Sequence, residues 1–465
     1  MATELLDICQ PGREEAEDFV ARHFSRLVTQ PGDDQPLSSD VFRGGQVPAD
    51  KALAALDLAG YTRNRTQAYP ERRRGASRLS PYVRHGLLDL PTLWDQIQGP
   101  DAEVERFQLE LLWQEYARHL YARLGSDMKQ PLRFQPSRGP GRNRTWDHSM
   151  GCVEITTGEL EDDGWLVGQS RLWLASQWAV RQGGDWRDGE DYFFRHLLDG
   201  SRAANLLGWQ TAIGTATGRV YNFTRWQVES RAPGLCASCE LNTACPIDRW
   251  PERAPLTPVA VDRPLLYADP DTESTAGPSQ PCCRPSAFPA SGDGDTETTH
   301  GVDTAGRGAG ADVVWMTAES MGDADPALAA NPDLPVAFVF DRPLLARLKL
   351  STKRLVFMVE TLAELATRRE LEVYLGTPAQ ALVGRRVAAT FAPVPGWRRH
   401  ASTVDPVEIH PWPWLYRPGS GDISSFAHWR RQLPSGPRAE PGQAVLGDFT
   451  RWRNRSAIPV TANPR

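Results

Sequence analysis

Residues 256–311 divide this 465-residue chain more sharply than any other stretch. Much of the segment, "ADPDTESTAGPSQPCCRPSAFPASGDGDTETTHGVDTAGRGAGA", is Pro, Gly, Ser, Thr and Asp. Such a composition buries too little apolar surface to offset the entropy of ordering, so it reads as a disordered linker. Before it, apolar residues recur at three- and four-residue spacing, as in "RFQLELLWQEYARHLYARL" and "EDYFFRHLLDGSRAANLLGW". That period predicts helices, and few runs there alternate like strands. After it come the short apolar runs "DVVWMTAE", "LPVAFVFD", "LEVYLG" and "RVAATFAP", separated by helical stretches such as the amphipathic "STKRLVFMVETLAELATRRE". Strands alternating with helices predict a parallel sheet in a doubly wound α/β domain. The expected division is a helical domain over 1–255, the linker over 256–311, an α/β domain over 312–435 and a basic tail over 436–465. No repeat of 20–50 residues is present.

Composition bounds the function. The hydrophobic fraction of 40% and charged fraction of 24% are those of a globular protein. No stretch approaches the roughly 20 apolar residues of a spanning helix, so no membrane partner is expected. The opening "MATELLDICQPGREEAEDF" is acidic and lacks an apolar core with basic flanks. It reads as no signal peptide, and a cytoplasmic place is the expectation. A formal charge of −6 excludes a global nucleic-acid signature. A local basic patch exists, however: Arg63, Arg65, Arg72, Arg73, Arg74, Arg78 and Arg84. It reads either as a solvated surface or as a footprint for DNA.

Seven cysteines in such a chain point to metal or redox use rather than a disulfide framework. Three of them, Cys236, Cys239 and Cys245, share the loop "GLCASCELNTACPIDRWP". A loop can fold several thiolates round one centre, and Pro246 prevents a helix from carrying Cys245 away. Thiolates select zinc or an iron–sulfur cluster, and the spacing alone leaves both open. A fourth ligand should be another cysteine. Cys152, in "DHSMGCVEITTG", is the only other one in the helical zone besides Cys9.

Several stretches of the helical zone resemble the FAD-binding domain of the photolyase/cryptochrome family. "GASRLSPYVRHGLL" is similar to the turn that holds the FAD phosphates in that family, and "ELLWQEYARHL" to its substrate-pocket helix. "DWRDGEDYFFRHLLDGSRAANLLGWQTA" resembles its flavin segment almost end to end. "MGCVEITTGELEDDGWLVGQSRL" resembles the stretch of the iron–sulfur bacterial cryptochromes and photolyases that begins with a ligand cysteine. The resemblance covers most of residues 50–250. The α/β segment is similar to the start of the family's antenna domain, which in the family precedes the flavin domain. The chain therefore looks circularly permuted. The implied fold is multidomain: an all-α FAD-binding domain of photolyase type, followed by a small doubly wound α/β (Rossmann-like) domain.

The resemblance also implies roles. Cys152, Cys236, Cys239 and Cys245 would ligate a [4Fe-4S] cluster, although the interval between the last two is shorter than expected and zinc stays open on ligand type. Tyr61, Ser77, Arg78, Leu79 and Ser80 would contact the phosphates and ribityl chain of FAD. Arg171 and Asp199, with Gly200 beside them, would form an ion pair near the flavin ring. Asn205 would accept a hydrogen bond from the N5–H of reduced flavin. Trp209 and Trp186 match the inner and middle members of an electron-transfer chain, with Trp178 and Trp146 as candidates for its outer end. Glu110 would hydrogen-bond the edge of a flipped pyrimidine dimer and Trp113 would stack on it.

Four departures bear on activity. Val167 and Gly168 stand where repair enzymes of the family have an Asn or a His pair. Gln114 replaces an arginine, Ala76 a threonine and Ser201 an aspartate. The expected function is an FAD-dependent, blue-light-driven photolyase that splits cyclobutane pyrimidine dimers in UV-damaged DNA, acting as a monomer. The alternatives are a cryptochrome-type photoreceptor without repair activity and a DNA-binding flavoprotein using its cluster in the dark. The sequence does not identify an antenna chromophore, since Met316–Asp323 lacks the paired arginines expected there.

Overall fold

The computed structural model describes residues 3–29, 36–136, 145–250, 255–260, 263–282 and 310–434. The expected tail over 436–465 lies outside these residues, as does 283–309 of the expected linker.

The four apolar runs after the linker are strands: β2 (Val313–Met316), β3 (Val336–Asp341), β4 (Leu371–Gly376) and β5 (Val387–Thr390). Two short strands complete the sheet, β1 (Glu4–Leu6) and β6 (Glu408–His410). The order is β1-β4-β3-β2-β5-β6, all parallel except β1, which pairs antiparallel with β4. Alternation along the strands splits the side chains between two cores. Val314, Met316, Phe338, Phe340 and Val373 face one, with Phe19, Val20 and Phe24 of the Arg13–Phe24 helix. Val313, Trp315, Ala337, Val387 and Ile409 face the other, with Trp397 and Ala401 of the Pro395–Val404 helix. Burial on both faces explains why these strands read as continuous apolar runs.

The Thr352–Ala366 helix is not amphipathic in its surroundings. It is buried nearly all round, Lys353, Arg354 and Glu360 included, because it lies between the sheet and the helical unit. Its polar groups tie the two together. The Glu360 carboxylate accepts from the Gly44 N–H and from Arg43, both at 2.7 Å. Arg354 donates to the carbonyls of Phe194 and Gly200, at 2.5 and 2.6 Å.

Three of the expected boundaries differ. Residues 4–28 belong to the sheet unit rather than to the helical one, through β1 and the helix after it. Residues 412–433 fold back from the sheet onto the Asp101–Leu124 helix, where Tyr116 Oη donates to Ile423 O at 2.9 Å and Trp429 Nε1 donates to His119 Nδ1 at 2.9 Å. The first part of the expected linker is packed. Leu266, Asp269 and Ala276 are buried, Arg123 pairs with Asp269 at 3.4 Å, and Trp414 Nε1 donates to Ala276 O at 2.8 Å. Donors from neighbouring elements satisfy this backbone, so the segment orders without much apolar content of its own.

Candidate functional site

The segment with the strongest family likeness folds as two helices, Trp186–His196 and Arg202–Ala212, joined by residues 197–201. Asp185 caps the first by accepting from Arg187 N, and Arg195 lies in its last turn, where a cation complements the helix dipole. Asn205, Asp199, Trp209 and Trp186 are all buried. Arg171, from the Gly168–Ala175 helix, reaches Asp199 Oδ2 at 2.6 Å and the Leu166 carbonyl at 3.0 Å. Asp199 Oδ1, Asn205 Nδ2 and the indole nitrogens of Trp186 and Trp209 have no hydrogen-bond partner among the described residues. Buried polar atoms are paired in nearly all folded proteins, so these open ones are atoms whose pairing a ligand could complete. Gly189 is required here: a Cβ on it would stand 2.1 Å from the Trp209 ring. The Trp209 indole therefore lies against the backbone of the helix one turn beyond Trp186.

The Gly75–Leu88 turn holds Arg78 at φ 57°, a left-handed conformation that a non-glycine residue adopts only when its surroundings hold it there. Arg78 pairs with Glu71 at 2.5 Å and its guanidinium lies 5.8 Å from the Trp165 ring centroid. Ser80 Oγ accepts from Trp165 Nε1 at 2.9 Å, Leu79 N donates to Ser77 Oγ at 3.5 Å, and Leu79 is buried. Gly200 points elsewhere: its carbonyl takes Arg84 and Arg354 donors from the side of the sheet.

Glu110 is already occupied. It pairs with Arg106 at 2.6 Å and Arg65 at 3.1 Å, while burial and then the Glu110 charge push the neighbouring Tyr61 phenol far above its usual pKa. One face of Trp113 is covered by Phe426, 3.8 Å away and nearly parallel, although the indole stays 39% exposed. The arginine patch is smaller than the sequence implies. Arg65, Arg74, Arg78 and Arg84 are held by Glu110, Glu159, Glu71 and Glu319, leaving Arg63, Arg72 and Arg73 exposed.

The four cysteines named from the sequence come together. Cys152, Cys236, Cys239 and Cys245 line one cavity of about 20 Å³, closed by apolar groups such as Met150, Val228, Leu235 and Ile247. The Gly151 N–H donates to Cys239 Sγ at 3.5 Å. Burial, and then the other three thiols, push the Cys152 thiol up to about 12. Among the described residues no group of three or more His, Cys, Asp or Glu side chains closes on a position for a single metal ion.

Trp178 lies in a π-helical turn, Ser176–Arg181, and packs against Trp146 at 4.7 Å between centroids. Its indole N–H donates to the Asp185 carbonyl at 2.9 Å, directly before Trp186. Trp178 thus adjoins the residue before Trp186, and Trp146 adjoins Trp178. Sequence reasoning missed Phe426, and no local signal marks it. It also missed a cavity of about 680 Å³ between the sheet and the helical unit, lined by Arg84, Arg118, Arg202, Arg354, Trp315 and Trp412 among others. Ser201 and Gln114, two of the departures, line this cavity.

No protein-family model matches the chain. It is 30% identical over 196 residues to the deoxyribodipyrimidine photo-lyase of Escherichia coli (strain K12), covering 38% of this chain and 42% of that protein. A deoxyribodipyrimidine photo-lyase of Thermus thermophilus is 32% identical over 183 residues, covering 36% of this chain and 43% of that protein. Cryptochrome DASH of Ostreococcus tauri is 27% identical over 207 residues, covering 39% of this chain and 36% of that protein. The chain spans less than half the length of these relatives. Among solved structures, a Synechocystis sp. PCC6803 cryptochrome is 20% identical, with 44% of this chain and 46% of that one covered, at a TM-score of 0.38. At that score the likeness bears on neither the site nor its chemistry. The sequence relatives support a place in the photolyase/cryptochrome family, and no described helix is long and apolar enough to cross a membrane.

Proposed function

We propose, with the photolyase/cryptochrome family as the premise, that this chain is an FAD-dependent, blue-light-driven protein that splits cyclobutane pyrimidine dimers in UV-damaged DNA. The observation that carries the reading is the group of open buried polar atoms on Asp199, Asn205, Trp186 and Trp209 beside the Arg171–Asp199 ion pair. These residues, with Tyr61, Ser77, Arg78, Leu79 and Ser80, would hold FAD. When bound, FAD supplies a light-driven one-electron transfer to the dimer. Arg171 neutralises Asp199 and fixes the local charge. The Asn205 amide would be available to the ring, and Trp209 and Trp186 would line a route for electrons that re-reduce it.

The proposed lesion site is Trp113 with Glu110. Trp113 offers a ring face for stacking and Glu110 a carboxylate for the base edge, once Phe426 and the two arginines give way. Cys152, Cys236, Cys239 and Cys245 would hold a [4Fe-4S] cluster. In such a centre each thiolate has its own iron, so the four sulfurs need not converge on the ~2.3 Å shell of a single zinc ion. Four thiols round one small cavity support ligation of one centre by all four cysteines. The permuted order is part of the proposal too: the helical unit lies in sequence between the first strand of the sheet and the other five.

A photoreceptor without repair is the second reading, and Trp113 supports it because Phe426 already lies on its ring. The test illuminates the anaerobically reduced full chain with a thymine-dimer oligonucleotide and follows recovery of thymine absorbance. Recovery that falls in Glu110→Ala and Trp113→Ala, with flavin photoreduction intact, supports repair. No recovery with the flavin confirmed as reduced supports the receptor.

A further inference from the structure

One aromatic path leaves the candidate flavin site and ends on a phenol that neither the flavin nor the lesion reading uses. Trp186 and Tyr192 lie on the same helix, and the Trp209 ring rests on Gly189 between them. From Trp186 the route passes through the Asp185 carbonyl to Trp178 and on to Trp146. Trp146 meets Tyr192 edge-on, 6.0 Å between centroids. Tyr192 Oη in turn donates to Glu161 Oε1, from the end of the Gly151–Asp162 helix. Tyr192 is only part-buried, so the path ends near the surface.

We propose that Tyr192 is the terminal electron donor of this path and that Glu161 receives its phenolic proton. The proposal rests on the flavin reading for its oxidant, photoexcited oxidised flavin, which takes one electron from Trp209. The hole passes through Trp186 and Trp178 to Trp146. Tyr192 then loses one electron to the Trp146 radical cation and its O–H proton to the Glu161 carboxylate. The products are neutral Trp146, a neutral tyrosyl radical and a protonated Glu161, so charge and atoms balance. Without a base the step would leave a strongly acidic phenol radical cation in a part-buried place. The phenol is held protonated at rest by burial and then by Glu161, so its proton leaves only on oxidation. His196 lies against the Tyr192 ring, 4.4 Å between centroids and tilted by 36°, and Glu161 is the acceptor of the phenol O–H.

The test has one arm without cofactor. In the full-length chain free of flavin, azidyl radicals from pulse radiolysis oxidise tryptophan, and onward transfer appears as tyrosyl radical absorption. Tyr192→Phe should remove most of that signal, and Glu161→Gln should slow its rise by at least about tenfold, as expected when a positioned base is lost. In the flavin-loaded chain, a blue flash should leave a tyrosyl radical in the wild type and a shorter-lived tryptophan radical in Tyr192→Phe. An undiminished tyrosyl signal in Tyr192→Phe, or an equally fast one in Glu161→Gln, overturns the assignment. If the cofactor-free transfer behaves in this way but the flash produces no radical, the relay stands and the flavin reading fails.

Discussion

The indole of Trp113 lies flat on the ring of Phe426, 3.8 Å between centroids and 8° between planes. The spacing is that of stacked bases, and Phe426 comes from a segment that also contributes Trp429 to the same aromatic group. A nucleobase approaching this face must displace an aromatic contact worth about 1 kcal/mol. Phe426→Ala should therefore tighten binding of a thymine-dimer oligonucleotide about fivefold, measured by fluorescence anisotropy in the dark at fixed salt. Unchanged affinity would place the lesion elsewhere.

At Gly168 an added Cβ meets nothing within 4 Å. The space can take the amide that the resemblance leads one to expect there. Gly168→Asn should raise the repair rate about fivefold, the worth of one hydrogen bond made in the transition state, with flavin content unchanged. Repair yield per absorbed photon is the measurement.

Cys245→Ser should strip the cluster. The wild type should carry about four irons with matching labile sulfide, and the variant little of either, by colorimetric assay. None of Arg171, Asp199 and Asn205 lines the cysteine cavity, so flavin retention should survive. Stoichiometric zinc in the wild type would replace the cluster with a single-ion site.

Two buried groups on the Trp186–His196 helix set opposing pH dependences. Burial raises the Glu190 carboxyl from 4.5 to about 7 despite Arg202, so between those values the folded state holds a proton that the unfolded chain has released. Stability falls as pH rises through that window. Burial, then Lys353 and Arg195, lowers His196 from 6.5 to about 3, so its contribution is full above 6.5 and is lost as pH falls towards 3. In urea titrations across pH, Glu190→Gln should abolish the falling limb, a change on the order of 2–3 kcal/mol.

The sheet strands β2 to β5 were legible because both faces of the sheet are covered and each run is largely apolar. β1 was not: it has three residues, two of them exposed, and it lies at an edge. The four cysteines that line one cavity were legible as local motifs. Phe426 was not, because its partner Trp113 is remote in sequence and nothing in "SSFAHW" announces stacking. The linker reading failed over 263–282 for a different reason. Composition counts what a segment can bury by itself, while the order there comes from Arg123 and Trp414 elsewhere in the chain.

The antiparallel pairing of β1 with β4 has a consequence for how the protein is made. On the ribosome, β1 and the Arg13–Phe24 helix emerge before the rest of the sheet, and Thr3 contacts Gln380, 377 positions later. Until then Leu6, Phe19, Val20 and Phe24 have no core to enter, while the helical unit can assemble behind them. The nascent chain therefore carries an apolar flap until β2 to β4 have emerged, a natural landing place for a chaperone. Expressing residues 1–255 alone would leave that flap exposed for good.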